Sequence, residues 1–83
     1  MAEENMFSTA DMYLAALLLA NEYSLVNVDR SDPKHIHFQF TTCEEDEVPL
    51  QEVVRDYTNG DAVVSASRFV EAIRKIKSLI HSG

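Results

Sequence analysis

Cysteine and glycine are scarce in this chain, and their scarcity excludes several kinds of site. Cys43 is the single cysteine among 83 residues, so neither an intramolecular disulfide nor a cysteine-ligated zinc site can form. Two glycines are too few for a glycine-rich loop that cradles a phosphate group. A lone thiol is typical of a reducing compartment, and we therefore predict a cytoplasmic location.

An apolar segment of membrane-spanning length is also missing. The longest apolar run covers residues 12–20, which is nine residues. A membrane-spanning helix needs about 20. The residues before this run are acidic rather than basic, which argues against a signal peptide. We therefore expect no membrane partner.

Positive charge is the third thing the chain has little of. The chain has seven Lys and Arg residues and 14 Asp and Glu residues, which gives a net charge of −7. Proteins that bind nucleic acid usually present a basic face, so this composition disfavours nucleic acid as a partner. Residues 65–83 are the exception, with a net charge of +3. We interpret their bases as complements to a helix dipole and as surface charge: Arg68, Arg74, Lys75 and Lys77.

The length predicts a single domain that covers residues 1–83, with residues 1–6 disordered because they are polar. A domain of this size buries only roughly 60 to 65% of its unfolded surface, so a monomer would be marginally stable. No disulfide or metal framework adds stability. Association with a second copy would add buried area, and we predict a homodimer.

Residues 8–23 form the most apolar stretch and predict the first helix, from about Thr9 to Glu22. Ser8 is the predicted N-cap, and Asn21 is the predicted end. Residues 12–20 are apolar on every side of such a helix, unlike an ordinary surface helix with one apolar stripe. The helix is therefore either a central core helix or partly a dimer interface. The interface candidates are Met12, Leu14, Leu17, Leu18 and Leu19.

Two strands and two more helices follow. Residues 25–30 and 35–41 predict an antiparallel hairpin, with Val26 and Val28 on one face of the first strand. Apolar spacing predicts helices that begin near Pro49 and near Ser65 or Ser67. The predicted fold class is α+β in the order α-β-β-α-α, with the hairpin packed on three helices. A short third strand at residues 62–64 is the alternative to two open sheet edges.

Several residues of this pattern match a known family. They lie in the first helix, in the hairpin and around the last two helices: Thr9, Asp11, Tyr13, Ala15, Ala16, Leu18, Phe38, Phe40, Asp56, Tyr57, Asn59, Gly60, Val64, Ala66, Arg68 and Phe69. Over roughly residues 7–80 the chain resembles a small family of bacterial and phage-associated proteins, catalogued only as a domain of unknown function. The resemblance implies no activity and no catalytic residue. Such proteins are expected to have glycine near the end of the first helix, where this chain has Asn21, Glu22 and Tyr23.

His35 and His37 are the first candidates for chemistry. At positions i and i+2 of a strand they lie on the same face, opposite the face of Phe38. Two histidines and a carboxylate can ligate zinc, and Asp29 on the facing strand is the possible third ligand. No fourth ligand is apparent. We interpret the pair mainly as polar surface and keep metal binding as a remote alternative.

The segment after the hairpin offers no better case for catalysis. A nucleophilic cysteine needs a setting that favours the thiolate, but Cys43 precedes four acids: Glu44, Glu45, Asp46 and Glu47. We interpret these acids as a solvated surface. No serine, histidine and aspartate arrangement follows from the spacing either. We therefore predict a protein that is not an enzyme and needs no cofactor.

Two functional hypotheses remain. The first is a non-enzymatic protein-interaction module that acts as a homodimer and binds a protein partner of unknown identity. Its basis is the excess of apolar surface and the open sheet edges. The second is an acidic inhibitor of phage or mobile-element type, in which residues 44–47 with Glu52 and Asp56 mimic the charge of nucleic acid.

Overall fold

The computed structural model describes residues 5–32, 34–42 and 47–81. It contains a three-stranded antiparallel sheet and three helices, so the predicted α+β class and the central hairpin are confirmed. The chain order is β-α-β-β-α-α, because a strand precedes the first helix. The elements are β1 (Asn5–Thr9), α1 (Met12–Ala20), β2 (Ser24–Asp29), β3 (His37–Thr42), α2 (Glu47–Asn59) and α3 (Ala66–His81).

The third strand comes from the beginning of the chain, and the prediction of a strand at 62–64 is wrong. The sheet order is β1-β3-β2, so β3 is central and β1 adds to its free edge. Phe7 of β1 pairs with Phe40 of β3 and packs against the core. Asn5 and Met6, expected in a disordered end, belong to this strand. Residues 62–64 are irregular, and Val63 is 90% exposed, so they lack the burial that would support a strand.

A bulge in β2 changes which of its side chains point toward the core, compared with the prediction. Leu25 pairs with Phe40 and Asn27 with Gln39, so Val26 is an extra residue with no partner in the register. An extra residue shifts the alternation of side chains by one position. Leu25 and Val28 therefore pack against the core together, while Val26 is 50% exposed. The predicted pairing of Val26 with Val28 on one face is wrong for this reason.

Asp11, rather than the predicted Ser8, is the N-cap of α1. Its Oδ1 accepts hydrogen bonds from the backbone N–H groups of Tyr13 at 2.9 Å and Leu14 at 3.2 Å. Ser8 cannot cap the helix because its backbone is engaged in β1, opposite Gln39. The strand takes the residues that would otherwise have formed the first turn, and α1 begins at Met12.

α1 lies at the centre of the hydrophobic core. Six of its nine residues are buried, on all sides of the helix: Leu14, Ala15, Ala16, Leu17, Leu18 and Ala20. They form one cluster with Phe38 and Phe40 of the sheet, Leu50 of α2, and Ala72 and Ile76 of α3. Of the two interpretations of the apolar run, the structure fits the central core helix. No helix in the described part of the chain is long and apolar enough to cross a membrane.

α1 and α2 end with the same backbone motif but with different residues. Asn21 is the C-cap of α1, and Glu22 after it has φ +70°. The N–H of Glu22 bonds the carbonyl of Leu19, and the N–H of Tyr23 bonds that of Leu18. This pair of bonds is a Schellman motif. At the end of α2, Gly60 occupies the equivalent position with φ +78°.

α2 and α3 begin near the residues that the sequence predicted. Pro49 lies in the first turn of α2, as predicted, and α3 begins directly after Ser65. α3 packs against α1 through Ala72 and Ile76. At the other end of α3, the guanidinium of Arg30 donates a hydrogen bond to the carbonyl of Leu79. This bond ties the end of β2 to the end of α3.

Candidate functional site

Among the described residues, all three helices contribute to the core on the inner face of the sheet, and the opposite face is the candidate site. The inner face of the sheet holds Phe7, Phe38 and Phe40, so the residues between them in the register point outward. We call them the outer sheet face: Met6, Ser8, Ser24, Asn27, Gln39 and Thr41. Met6 is 59% exposed, and Ser8, Ser24 and Asn27 are also exposed. Gln39 and Thr41 are half-buried, and the Thr41 hydroxyl oxygen is buried with no hydrogen-bond partner among the described residues.

The six residues of the outer sheet face are uncharged, although the chain as a whole carries −7 and Asp29 and His37 continue the face at one end. Two rows cross it, one formed by Met6, Thr41 and Ser24 and the next by Ser8, Gln39 and Asn27. The amide of Asn27 donates to Oε1 of Gln39 at 3.0 Å, which orders the second row. A neutral surface of amides, hydroxyls and a methionine can pack against protein without desolvating a charge.

Charge returns at the end of the face, where Asp29 pairs with His37. Hydrogen bonds from the hydroxyl and N–H of Ser31 lower the pKa of Asp29, and the nearby His37 adds to that effect. Asp29 is therefore ionised at neutral pH. Its acceptor Oδ1 is already used by Ser31.

The metal alternative receives no support from this geometry. His35 precedes β3 and is exposed, while Nδ1 of His37 lies 3.0 Å from the backbone oxygen of His35. Asp29 faces His37 but bonds Ser31. Within residues 5–32, 34–42 and 47–81, no three His, Cys, Asp or Glu side chains are grouped as a metal site would require.

The two edges of the sheet differ in how they are protected. β2 is interrupted by the bulge at Val26 and ends on the charged Asp29. β1 has neither a bulge nor a charged residue nor a proline, and its register with β3 is continuous from Asn5 to Thr9. Bulges, charges and prolines are the usual devices that prevent an edge strand from pairing further. β1 is therefore the open edge of the sheet.

A second polar feature ties α2 to the start of α1. The hydroxyl of Tyr57 donates to Oδ2 of Asp11 at 2.7 Å, while Oδ1 of Asp11 caps α1. Desolvation opposes ionisation of Asp11, but the hydrogen bonds from Tyr57 and from the backbone of Leu14 and Tyr13 outweigh it and lower the pKa of Asp11. The same bond, with desolvation, raises the pKa of Tyr57 to about 12. Tyr57 thus keeps its proton, and the pair acts as a structural clasp rather than as an acid and base.

The predicted interface residues of α1 fall into two groups. Leu14, Leu17 and Leu18 are buried by the chain's own elements, so they are not available to a second copy. Met12 and Leu19 are only partly buried against the core. If α1 takes part in a dimer, these two residues are the ones that can contribute.

The acidic segment lies mostly beyond the described residues. Cys43, Glu44, Glu45 and Asp46 are outside them, and Glu47 is the first residue of α2. Of the other acids in the charge-mimicry hypothesis, Glu52 is exposed and Asp56 is half-buried near Arg55. The hypothesis of charge mimicry therefore rests on the sequence alone.

The basic side chains of α3 do not form a purely basic surface. Arg68 and Lys75 line a groove of about 230 Å³ beside the end of α1, together with Glu22 and Glu71. Two acids among two bases make a mixed surface, which is a poor match for a run of phosphates. This arrangement agrees with the interpretation of these bases as ordinary surface charge.

Neither strand β1 nor the clasp was predicted from the sequence. β1 was not predicted because Ser8 was assigned as the N-cap of the first helix. In the structure Ser8 lies in β1, and Asp11 is the N-cap. The clasp joins positions 46 residues apart, a separation that no local pattern reveals. Asp11 and Tyr57 were nevertheless both among the residues that carry the family resemblance.

These features define a class, namely a small α+β domain in which a central apolar helix covers one face of a three-stranded antiparallel sheet. The chain belongs to the family described as Domain of unknown function (DUF5659), whose model matches residues 4–82. The predicted family is thus confirmed, and its bacterial and phage association stays a prediction. No curated protein and no solved structure matches the chain.

Proposed function

We propose that the chain is a non-enzymatic protein-interaction module that acts as a homodimer. The observation that carries this proposal is the uncharged outer sheet face, which is bordered by the unprotected edge strand β1. Exposed Met6 lies where this face and this edge meet. Methionine is enriched in protein interfaces, and charged residues are depleted from their centres.

The charge of the chain supports the choice of this surface. Two copies that each carry −7 repel one another wherever acids face acids. The six residues of the outer sheet face and the five residues of β1 carry no charged side chain, so a contact through them places no acid of these residues against another acid. An interaction through backbone and neutral side chains also needs no catalytic group.

The test of the dimer is a mass measurement in solution. Sedimentation equilibrium of the untagged full chain, from about 1 to 200 μM, should give a mass that rises toward twice the chain mass of 9.4 kDa. A constant mass of one chain across that range would remove the homodimer from the proposal. Affinity capture on immobilised chain would then test the protein partner separately.

The alternative is an acidic inhibitor that mimics the charge of nucleic acid. Its support is the charge of residues 35–64, which carry seven acids and one base. Such an inhibitor would capture nucleic-acid-binding proteins from a host lysate at low salt and lose them at high salt. Capture that does not change with salt concentration would count against it.

A further inference from the structure

We propose that two copies of the chain associate by antiparallel pairing of their β1 strands, so that each three-stranded sheet becomes half of a six-stranded sheet. This inference rests on the proposed homodimer and adds the surface that forms it. β1 is an edge strand with β3 on one side, and the described residues place no strand on its other side. Within residues 5–32, 34–42 and 47–81, no backbone–backbone hydrogen bond outside the sheet involves β1, so the groups on that side can bond a further strand.

The choice of β1 over β2 follows from the protection of the two edges. In β2 the bulge at Val26 breaks the regular spacing of backbone donors and acceptors, and Asp29 would place its charge against a partner strand. β1 has an unbroken register of five residues with β3 and contains no charge. It therefore presents the only regular, neutral edge among the described strands.

The choice of a second copy follows from the sequence of β1 and from its surroundings. A two-fold axis through Phe7 places Phe7 opposite its counterpart and Met6 opposite Ser8 of the other copy. The two Met6 side chains then become diagonal neighbours on the outer sheet face, so each covers the other's exposed surface. No like charges oppose one another within the paired strands.

Among the described residues, Asp11 is the acid nearest to β1 in the sequence, while Glu3 and Glu4 before the strand lie outside the described residues. Asp11 follows β1 closely, but its carboxylate is turned back onto its own chain. One oxygen caps α1 and the other accepts from Tyr57, so the positive end of the helix compensates much of the charge. The clasp thus engages both carboxylate oxygens of Asp11 within its own chain.

Matched charge variants at the two edges test the assignment. Met6→Glu and Val26→Glu add the same charge at side chains of similar exposure, 59% and 50%, on opposite edges of the sheet. Met6→Glu places two carboxylates across the two-fold axis and should raise the dimer dissociation constant at least about tenfold. Val26→Glu should change the dimer dissociation constant less than about threefold. That allowance accounts for the general repulsion from one extra charge per copy. Circular dichroism and thermal melting establish that both variants are folded.

A distance measurement tests the geometry without adding a charge to the edge. In a Cys43→Ser background, spin labels are attached to Ser8→Cys or Asn27→Cys, which are both exposed and share a row of the outer sheet face. From strand spacing, pairing through β1 separates the two residue 8 Cα atoms by about 8 Å and the two residue 27 Cα atoms by about 25 Å. Pairing through β2 would instead make the distance between the two residue 27 Cα atoms the shorter one.

The outcomes separate this inference from the proposed function. A short distance at residue 8, with the stronger effect of Met6→Glu, supports pairing through β1. A dimer with a long distance at residue 8, or one that Val26→Glu weakens more than Met6→Glu, overturns it and leaves the homodimer standing. A chain that stays monomeric at 200 μM overturns both. A foreign strand that binds β1 of such a monomer would identify the edge as a site for another protein.

Discussion

At the scale of single residues, Glu22 holds a backbone conformation that suits glycine better. Its φ of +70° is nearly that of Gly60, which ends α2 with the same motif. A residue with a side chain is disfavoured there because its Cβ crowds the following carbonyl. We predict that Glu22→Gly raises the free energy of unfolding by about 1 kcal/mol, measured by urea denaturation.

The control for this prediction is the residue before it. Asn21 has φ −91°, and its Nδ2 donates to the carbonyl of Leu17 at 2.9 Å. Asn21→Gly removes that bond and gains no relief of strain, so it should lower the free energy of unfolding. Equal effects of the two variants would show that φ at Glu22 does not limit stability.

The hydrogen bond between Tyr57 and Asp11 gives a second prediction at this scale. Tyr57→Phe should lower the free energy of unfolding by about 1 kcal/mol at neutral pH. Because the pKa of Tyr57 is raised from 10.0 to about 12 in the folded state, its contribution is complete below pH 10 and is lost as pH rises to 12. The stability difference between the wild type and Tyr57→Phe should therefore shrink over that range. A difference that stays constant to pH 12 would exclude the bond as its origin.

At the scale of secondary-structure elements, the start of α1 differs from the sequence-based prediction, because the N-cap is Asp11 and not Ser8. We predict that Asp11→Ala lowers the free energy of unfolding by about 1 to 2 kcal/mol, because it removes the cap of α1 and the acceptor of Tyr57. Ser8→Ala should change it by less than about 0.5 kcal/mol, since Ser8 is exposed in β1 and caps nothing. Urea denaturation of both variants decides which residue is the cap, and a larger loss for Ser8→Ala would restore the original assignment.

Elements with a strong local pattern were predictable, and those decided by distant partners were not. Alternation of Phe38 and Phe40 with polar residues predicted β3, and a stripe including Ala72 and Ile76 predicted α3. β1 has only five residues, and its status as a strand depends on pairing with β3 far along the chain. The bulge in β2 likewise depends on its partner, because the apolar residues alone fit either register.

At the scale of the whole molecule, the net charge of −7 makes a prediction about association. Two like-charged copies repel, and salt screens that repulsion over about 10 Å at 0.1 M. Raising sodium chloride from 50 to 500 mM should therefore lower the dimer dissociation constant in sedimentation equilibrium. An acidic inhibitor bound to a basic partner responds in the opposite sense, and the salt dependence of capture from a host lysate tests that hypothesis separately.

The candidate site could be anticipated only in outline. The open sheet edges followed from counting strands in the sequence, and they directed attention to association with a second copy. Of the predicted interface residues of α1, Leu14, Leu17 and Leu18 fill the chain's own core, whereas Met12 and Leu19 stay predictions. An apolar helix surrounded by its own domain cannot be distinguished by composition from one shared between two copies.

The sheet order also sets a sequence of events in folding. Asp29 and His37 close the hairpin over eight positions, whereas Phe7 reaches Phe40 across 33. Short loops close sooner and at lower entropic cost, so β2 and β3 should pair before β1 arrives. We therefore expect β1, which is synthesised before β3, to enter the sheet after β3. Until then Phe7 has no strand beside it, and that interval is when a crowded solution of this chain is most prone to aggregate.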